Sequence, residues 1–256
     1  MADEFADKEY EEGDNLVEWI NAQKNAYLVS LKSKHLNDDL VKIIANELKV
    51  NNDWKNVVLA DNQISGAIRV QYLADALMVN KELDTLTLSK NYLLDEGLKL
   101  ICNSLKMNSK TQLRLLDLDE NKITDEGCKY ISEMLMQNTE LCGLNLDDNL
   151  IGDGGLLSLA HAVIINSNNN SNNNGLLQIS IRNNKISDNS VDVIIDLFKN
   201  SRLETLSLGG NQISHEGTNR LRQVFANSYN TSIGDDLNLS RTPRRPVTCF
   251  YPQHAV

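Results

Sequence analysis

Five carboxylates fall in two short stretches of this 256-residue chain: Asp117, Asp119 and Glu120, then Asp147 and Asp148. Like charges gathered in one place repel each other, and a fold alone gains nothing from them. The chemistry open to them is electrostatic recognition of a basic surface. An ordinary solvated face and a weak Ca²⁺ site are the two other readings such acids allow. Other chemistries find little to stand on. No Gly-x-x-x-x-Gly-Lys-Ser/Thr is present to cradle phosphates. His35, His161, His215 and His254 are scattered, with no His-x-x-x-His or Cys/His cluster for zinc. Gly152-Asp-Gly-Gly155 reads as a turn, and no spacing pairs a nucleophile with a base. The expectation is a non-enzymatic protein with no cofactor and no metal site.

The two stretches are brought together by a period. Leu-x-x-Leu-x-Leu-x-x-Asn-x-Leu/Ile occurs six times, ending in turn at Asn62-x-Ile64, Asn91-x-Leu93, Asn121-x-Ile123, Asn149-x-Ile151, Asn184-x-Ile186 and Asn211-x-Ile213. The Asn-to-Asn intervals are 29, 30, 28, 35 and 27 residues. A degenerate copy precedes them, with Val29, Leu31 and Leu36 around Lys34, and Leu237-x-Leu239 is a half-copy at the far end. Apolar residues recur ten places past the Asn (Ile101, Ile131, Leu159, Ile194, Leu221) and fourteen past it (Leu105, Leu135, Val163, Phe198, Phe225). The first full copy is one residue longer and uses Leu73 and Leu77. An apolar i, i+4 pair behind Ser, Thr or Asp predicts an amphipathic helix with its N-cap. Each unit is therefore strand, tight turn, helix, turn. Asn80, Asn108, Asn138, Asn200 and Asn227 end the helices, where they would serve as left-handed caps.

These units resemble the leucine-rich repeat family, in its ribonuclease-inhibitor-like subtype of ~28-residue repeats. Arrays of this type occur in NOD-like receptors, whose nucleotide-binding module has no counterpart motif in this sequence. The resemblance covers roughly residues 26–240. It implies an α/β solenoid of about seven repeats: a right-handed horseshoe with a parallel sheet on the concave face and helices outside. One unit cannot bury its Leu stripe alone, but stacked units share a continuous core. Asn62, Asn91, Asn121, Asn149, Asn184 and Asn211 are expected to be structural, their inward amides pairing with backbone groups left open by the turn.

Alternation along a strand then decides what faces outward. One outward column, four before each Asn, is Val58, Thr87, Asp117, Asn145, Ser180 and Ser207. The next, two before it, is Ala60, Ser89, Asp119, Asp147, Arg182 and Gly209, with Asp61, Lys90, Glu120, Asp148, Asn183 and Gly210 alongside. The five acids would then lie on strands about 5 Å apart, flanked by Lys90 and Arg182. Thr87, Ser89, Asp117, Asp119, Glu120, Asn145, Asp147, Asp148 and Arg182 are the expected partner-binding residues. Those columns carry no aromatic anchor, so a weak, salt-sensitive contact is expected.

Composition sets the outer limits. The 38 Leu and 33 Asn follow from the repeats and from an Asn-rich insertion at 166–175, expected to be a mobile loop. A net charge of −10 excludes nonspecific nucleic-acid binding. The sequence shows no apolar run of ~18 residues and no basic-then-apolar leader. Cys102, Cys128, Cys142 and Cys249 lack any paired spacing and read as free thiols of a reducing cytosol. Residues 1–25 form an acidic tail and capping helix, 26–240 the repeats, and 241–256 a basic tail. That tail carries Arg241, Arg244 and Arg245, and Thr242 within it could be a modification site or part of a linear motif. The resulting expectation is a monomeric cytoplasmic scaffold that binds a basic protein, with no nucleic acid and no membrane. Two other roles accord with the repeat type. One is a secreted bacterial effector acting in a host cytosol. The other is the GTPase-activating protein of the Ran cycle, whose longer array and acidic tail this sequence lacks.

Overall fold

The computed structural model describes residues 9–11, 13–169, 175–226, 231–234 and 236–241. Seven strands, β1 (Leu28–Ser30), β2 (Asn56–Val58), β3 (Thr85–Thr87), β4 (Leu115–Asp117), β5 (Gly143–Asn145), β6 (Gln178–Ser180) and β7 (Thr205–Ser207), pair in chain order as a parallel sheet. Their central residues, Val29, Val57, Leu86, Leu116, Leu144, Ile179 and Leu206, are in register and at most 2% exposed. A residue every ~28 positions thus meets its own equivalent. Between the strands run α2 (Asp38–Leu48), α3 (Gly66–Leu77), α4 (Leu94–Met107), α5 (Asp125–Leu135), α6 (Asp153–Asn169) and α7 (Val191–Asn200), the last entered through a 3-10 turn at Asp188–Ser190. After β7 comes α8 (His215–Phe225). The predicted helix pairs, from Leu73 and Leu77 to Leu221 and Phe225, are all buried and join the strand residues in one core.

At the first strand, α1 (Leu16–Ala22) covers the core with Leu16, Trp19 and Ile20, and Tyr10 meets Trp19 edge-on at 5.7 Å. At the other end the half-copy departs from the parallel pattern. Leu239 is fully buried, but its strand β9 (Asn238–Arg241) runs antiparallel to β7 and pairs with β8 (Thr231–Ile233) at the sheet edge.

Each Asn of the repeat bridges two units. The Asn91 amide nitrogen donates to the carbonyls of Leu59 (3.0 Å), Leu88 (2.9 Å) and Ser89 (3.1 Å), while its oxygen accepts from Asn62 N (3.2 Å) and Ile64 N (2.8 Å). Asn62, Asn121, Asn149, Asn184 and Asn211 likewise bond backbone of the preceding unit.

Three expectations are corrected. The helix-end asparagines are not left-handed caps: none of Asn80, Asn108, Asn138 or Asn200 has positive φ. Instead Asn80 and Asn108 form a second ladder. The Asn108 amide donates to Leu77 O (2.8 Å) and Asn80 O (2.6 Å), and Asn80 donates to Leu48 O (2.6 Å). Asn138 accepts from Glu140 N and Leu141 N, and Asn51 is built the same way. In the sixth unit this place belongs to Ser201, which is buried, while Asn200 is exposed; Asn227 lies outside the described residues. Second, the Asn-rich stretch begins as helix, because α6 reaches Asn169 and Asn166 belongs to the ladder, donating to Leu135 O (2.6 Å) and Asn138 O (3.1 Å). Residues 170–174 lie outside the described residues. Third, the cysteines are not all free thiols. Cys102 and Cys128 are free and buried among the helices, but Cys142, at the edge of β5, is disulfide-bonded. Cys249, the acidic residues 1–8 and the tail from Thr242 lie outside the described residues, and no helix among the described residues is long and apolar enough to cross a membrane.

Candidate functional site: the concave acidic face

The register sets Val58, Thr87, Asp117, Asn145, Ser180 and Ser207 side by side in one row across the sheet. Within it the Asp117 carboxylate accepts from the Asn145 amide (2.9 Å) and from Asp119 N (3.2 Å). One step further along the strands, Asp147 accepts from Ser180 Oγ (2.7 Å) and Arg182 N (2.6 Å). Asp119 has no such support: its Oδ1 is buried and unbonded. Burial pushes the Asp119 carboxyl up to about 7, with further upward pressure from Asp117, Glu120, Asp148 and Asp147. Burial also raises Asp117, against the hydrogen bonds from Asp119 N and Asn145, and raises Asp147, against those from Ser180 and Arg182 N. The three aspartates are therefore held where negative charge is costly.

The rim differs from the centre. Glu120 is paired with Lys90 at 3.1 Å, and the Arg182 guanidinium reaches Asp236 at 3.2 Å. The two expected flanking cations thus spend their charge at the edge. Glu120, Lys90 and Asp148 belong to a column with a conformational duty. Asp61, Lys90, Glu120, Asp148 and Asn183 all have φ between 51° and 55°, and Gly210 stands at 71°. This left-handed residue turns the chain immediately before each ladder Asn. Thr87 is half-buried and Ser89 buried on β3's side of the patch.

A third outward column, six before the Asn, is missed when alternation is followed over only two positions: Asn56, Thr85, Leu115, Gly143, Gln178 and Thr205. Extending the same alternation by two residues finds it. Here Leu115 packs with Cys142 and Leu177 in a small apolar cluster, apart from the main core. Beside it Arg114 and Asp84 form a two-pronged ion pair. Among the described residues, no group of three or more His, Cys, Asp and Glu side chains is arranged to hold a metal ion.

Comparison with known proteins bears on what this repeat is. A family model described as "Leucine Rich repeat" matches residues 109–132 and 199–217, windows that hold β4 and β7 with the turns that follow them. The chain is a leucine-rich repeat protein. Over 231 residues it is 27% identical to human "NACHT, LRR and PYD domains-containing protein 14", covering 81% of this chain and 21% of that protein. Over 178 residues it is 30% identical to protein 9 of the same designation from Bos taurus, covering 69% and 17%. The leucine-rich repeats described above thus span about a fifth of the length of these curated relatives. Among solved structures, the tropomodulin C-terminal domain of Caenorhabditis elegans aligns with a TM-score of 0.51 at 16% identity, over 73% of this chain and 98% of that one. That likeness is one of fold.

Proposed function

We propose that this leucine-rich repeat array is a protein-binding module whose concave acidic face recognises a basic surface. Arrays of this kind generally serve protein interaction, and the relatives carry the same repeats within larger proteins. The observation that supports the acidic face is Asp119, a carboxylate with a buried, unbonded oxygen between Asp117 and Asp147. A cation arriving there meets an acceptor with no other partner and relieves the repulsion of its neighbours. Asp148 adds charge beside them, and Thr87, Ser89 and Asn145 supply neutral hydrogen-bonding groups at the margin.

The test is binding of a labelled arginine-rich peptide to the wild type and to Asp117→Lys with Asp147→Lys. The double variant should bind at least about tenfold more weakly, roughly 1.4 kcal/mol or more, with unfolding followed in parallel. Unchanged affinity in a folded double variant would retire the acidic face as the recognition surface.

A further inference from the structure

We propose that the edge of the array formed by the helix C-termini docks on an anionic lipid surface, sinking a row of exposed apolar side chains into its headgroup layer. The second asparagine ladder sets that row. Asn51, Asn80, Asn108 and Asn166 each donate to a carbonyl of the unit before, and Asn138 stands at the same place in its own unit. The ends of α2 to α6 are thereby held in line. Directly before these asparagines come Val50, Val79, Met107 and Ile165, and in the unit of Asn138 the apolar side chain, Met136, comes one place earlier. These five residues are 43–70% exposed. The fold does not ask for them: at the end of α7 the same place, before Ser201, is Asn200, also exposed. Apolar side chains left in solvent at five successive equivalent places mark a contact surface.

Geometry narrows the partner. Strands lie about 5 Å apart and packed helices about 8–10 Å, so the array bends and its helix ends follow an arc. From α2 to α6 is four helix spacings, roughly 32–40 Å. A flat, yielding surface touches every point of such an arc at once, whereas a straight helix touches only part of it.

Charge makes that surface anionic. Lys24, Lys49, Lys81 and Lys110 stand exposed on this edge, and none of the ion pairs among the described residues engages them. Of the acids in the same loops, Glu82 and Asp84 are taken up by Lys55 and Arg114, leaving Asp53 and Glu140. The opposite edge is acidic, with Asp38, Asp39, Glu96, Glu126, Asp192 and Glu216 in the first turns of the helices. A chain of net charge −10 approaches an anionic surface with the lysine edge leading, so the charges that attract it also orient it. Lysines beside apolar side chains are the composition that settles in a bilayer interface. The sheet then stands upright on the lipid, with its acidic face turned sideways and open. A search for apolar runs passes over this edge, because its residues fall one per unit and meet only on stacking.

The full chain is mixed with vesicles of equal parts phosphatidylcholine and phosphatidylserine, or of phosphatidylcholine alone, and bound protein is read by co-sedimentation. Binding to the first, weakened by salt, and none to the second are expected. Val79→Asp with Met107→Asp, and separately Lys49→Glu with Lys81→Glu and Lys110→Glu, should each lower the affinity at least about tenfold. Thermal unfolding checks that the variants fold, and should the apolar one fail, the lysine variant decides alone. No binding of the wild type to the anionic vesicles, or equal binding by a folded variant, overturns the proposal. Sedimentation velocity without lipid closes the remaining case. A wild type that self-associates beside a monomeric Met107→Asp variant makes the row an interface between copies and overturns lipid docking.

Discussion

At the scale of single residues the concave face trades stability for charge. Asp119 titrates near 7 in the fold, against about 3.9 in an unfolded chain. Between those values the folded state holds more protons than the unfolded one, so its contribution to stability falls as pH rises from about 4 to 7 and is flat above. Asp119→Asn should therefore raise the thermal midpoint at pH 8 relative to wild type and leave it little changed at pH 4; scanning calorimetry at the two values checks this. A cationic ligand favours the carboxylate, so binding near neutrality should release protons. Calorimetric titration in two buffers of different ionisation enthalpy reads that release directly, and proton uptake would contradict the sign. The ladder asparagines work the other way. Asn121 is fully buried and donates to Leu88 O and Asp119 O. Asn121→Ala removes both donations and takes the acceptor Oδ1 from Leu93 N (3.3 Å), and should cost about 1–3 kcal/mol in denaturant unfolding.

At the scale of elements, each turn from strand to helix is bonded to the turn before it. Asp95 accepts from Thr124 N (2.9 Å) and Thr124 Oγ1 (2.6 Å), Asp125 from Gly152 N (2.6 Å), and Asp188 from Ser214 N (2.8 Å). Asp153 accepts from Ser187 N (2.8 Å), Ser187 Oγ (2.6 Å) and Ser190 Oγ. Burial would push the Asp153 carboxyl up, but these hydrogen bonds outweigh it and hold it below the usual range. Its stabilising effect is thus present at neutral pH and lost as pH falls below about 4. The helix glycines make room for these aspartates. A Cβ at Gly155 would stand 2.6 Å from the Ile151 methyl and 2.7 Å from Asp125 Oδ1. Gly155→Ala should destabilise by about 1–3 kcal/mol, measured as a lower denaturant midpoint at unchanged slope.

These elements also show where sequence reasoning stops. The strand and helix stripes were legible because their apolar residues keep one type at one spacing. The ladder Asn was legible because only an amide both donates and accepts there. The left-handed residue before it escaped notice, since Asp61, Lys90, Glu120 and Asn183 share a backbone shape and no side-chain chemistry. The helix-end asparagines were visible, but their partners lie about 28 residues back and become adjacent only on stacking. Likewise the acids were predicted to share a face, while the loss of Lys90 and Arg182 to partners at the rim depends on rotamers that no periodicity encodes.

At the scale of the whole molecule, stability is shared between neighbouring units and stops at two unlike ends. Ladder contacts couple every unit to the one before it, so damage in the middle severs the array, whereas damage at an end frays it. Asn121→Ala should therefore lower the protection of amide hydrogens on both sides of β4. Asn211→Ala should lower it mainly from β7 onward. Hydrogen exchange resolved by peptide distinguishes the two patterns. The reversal at β9 has a further consequence. A parallel ladder is a growing surface: each strand offers the next copy the template it has just used. In the β8–β9 hairpin β9 runs against β7 and the outermost strand β8 runs back along the direction of β7, so the parallel ladder is interrupted at β9 although the edge strand again points the way of the array. What the array offers at this edge is a three-residue strand of a hairpin, β8 (Thr231–Ile233), and no longer a strand of the repeat.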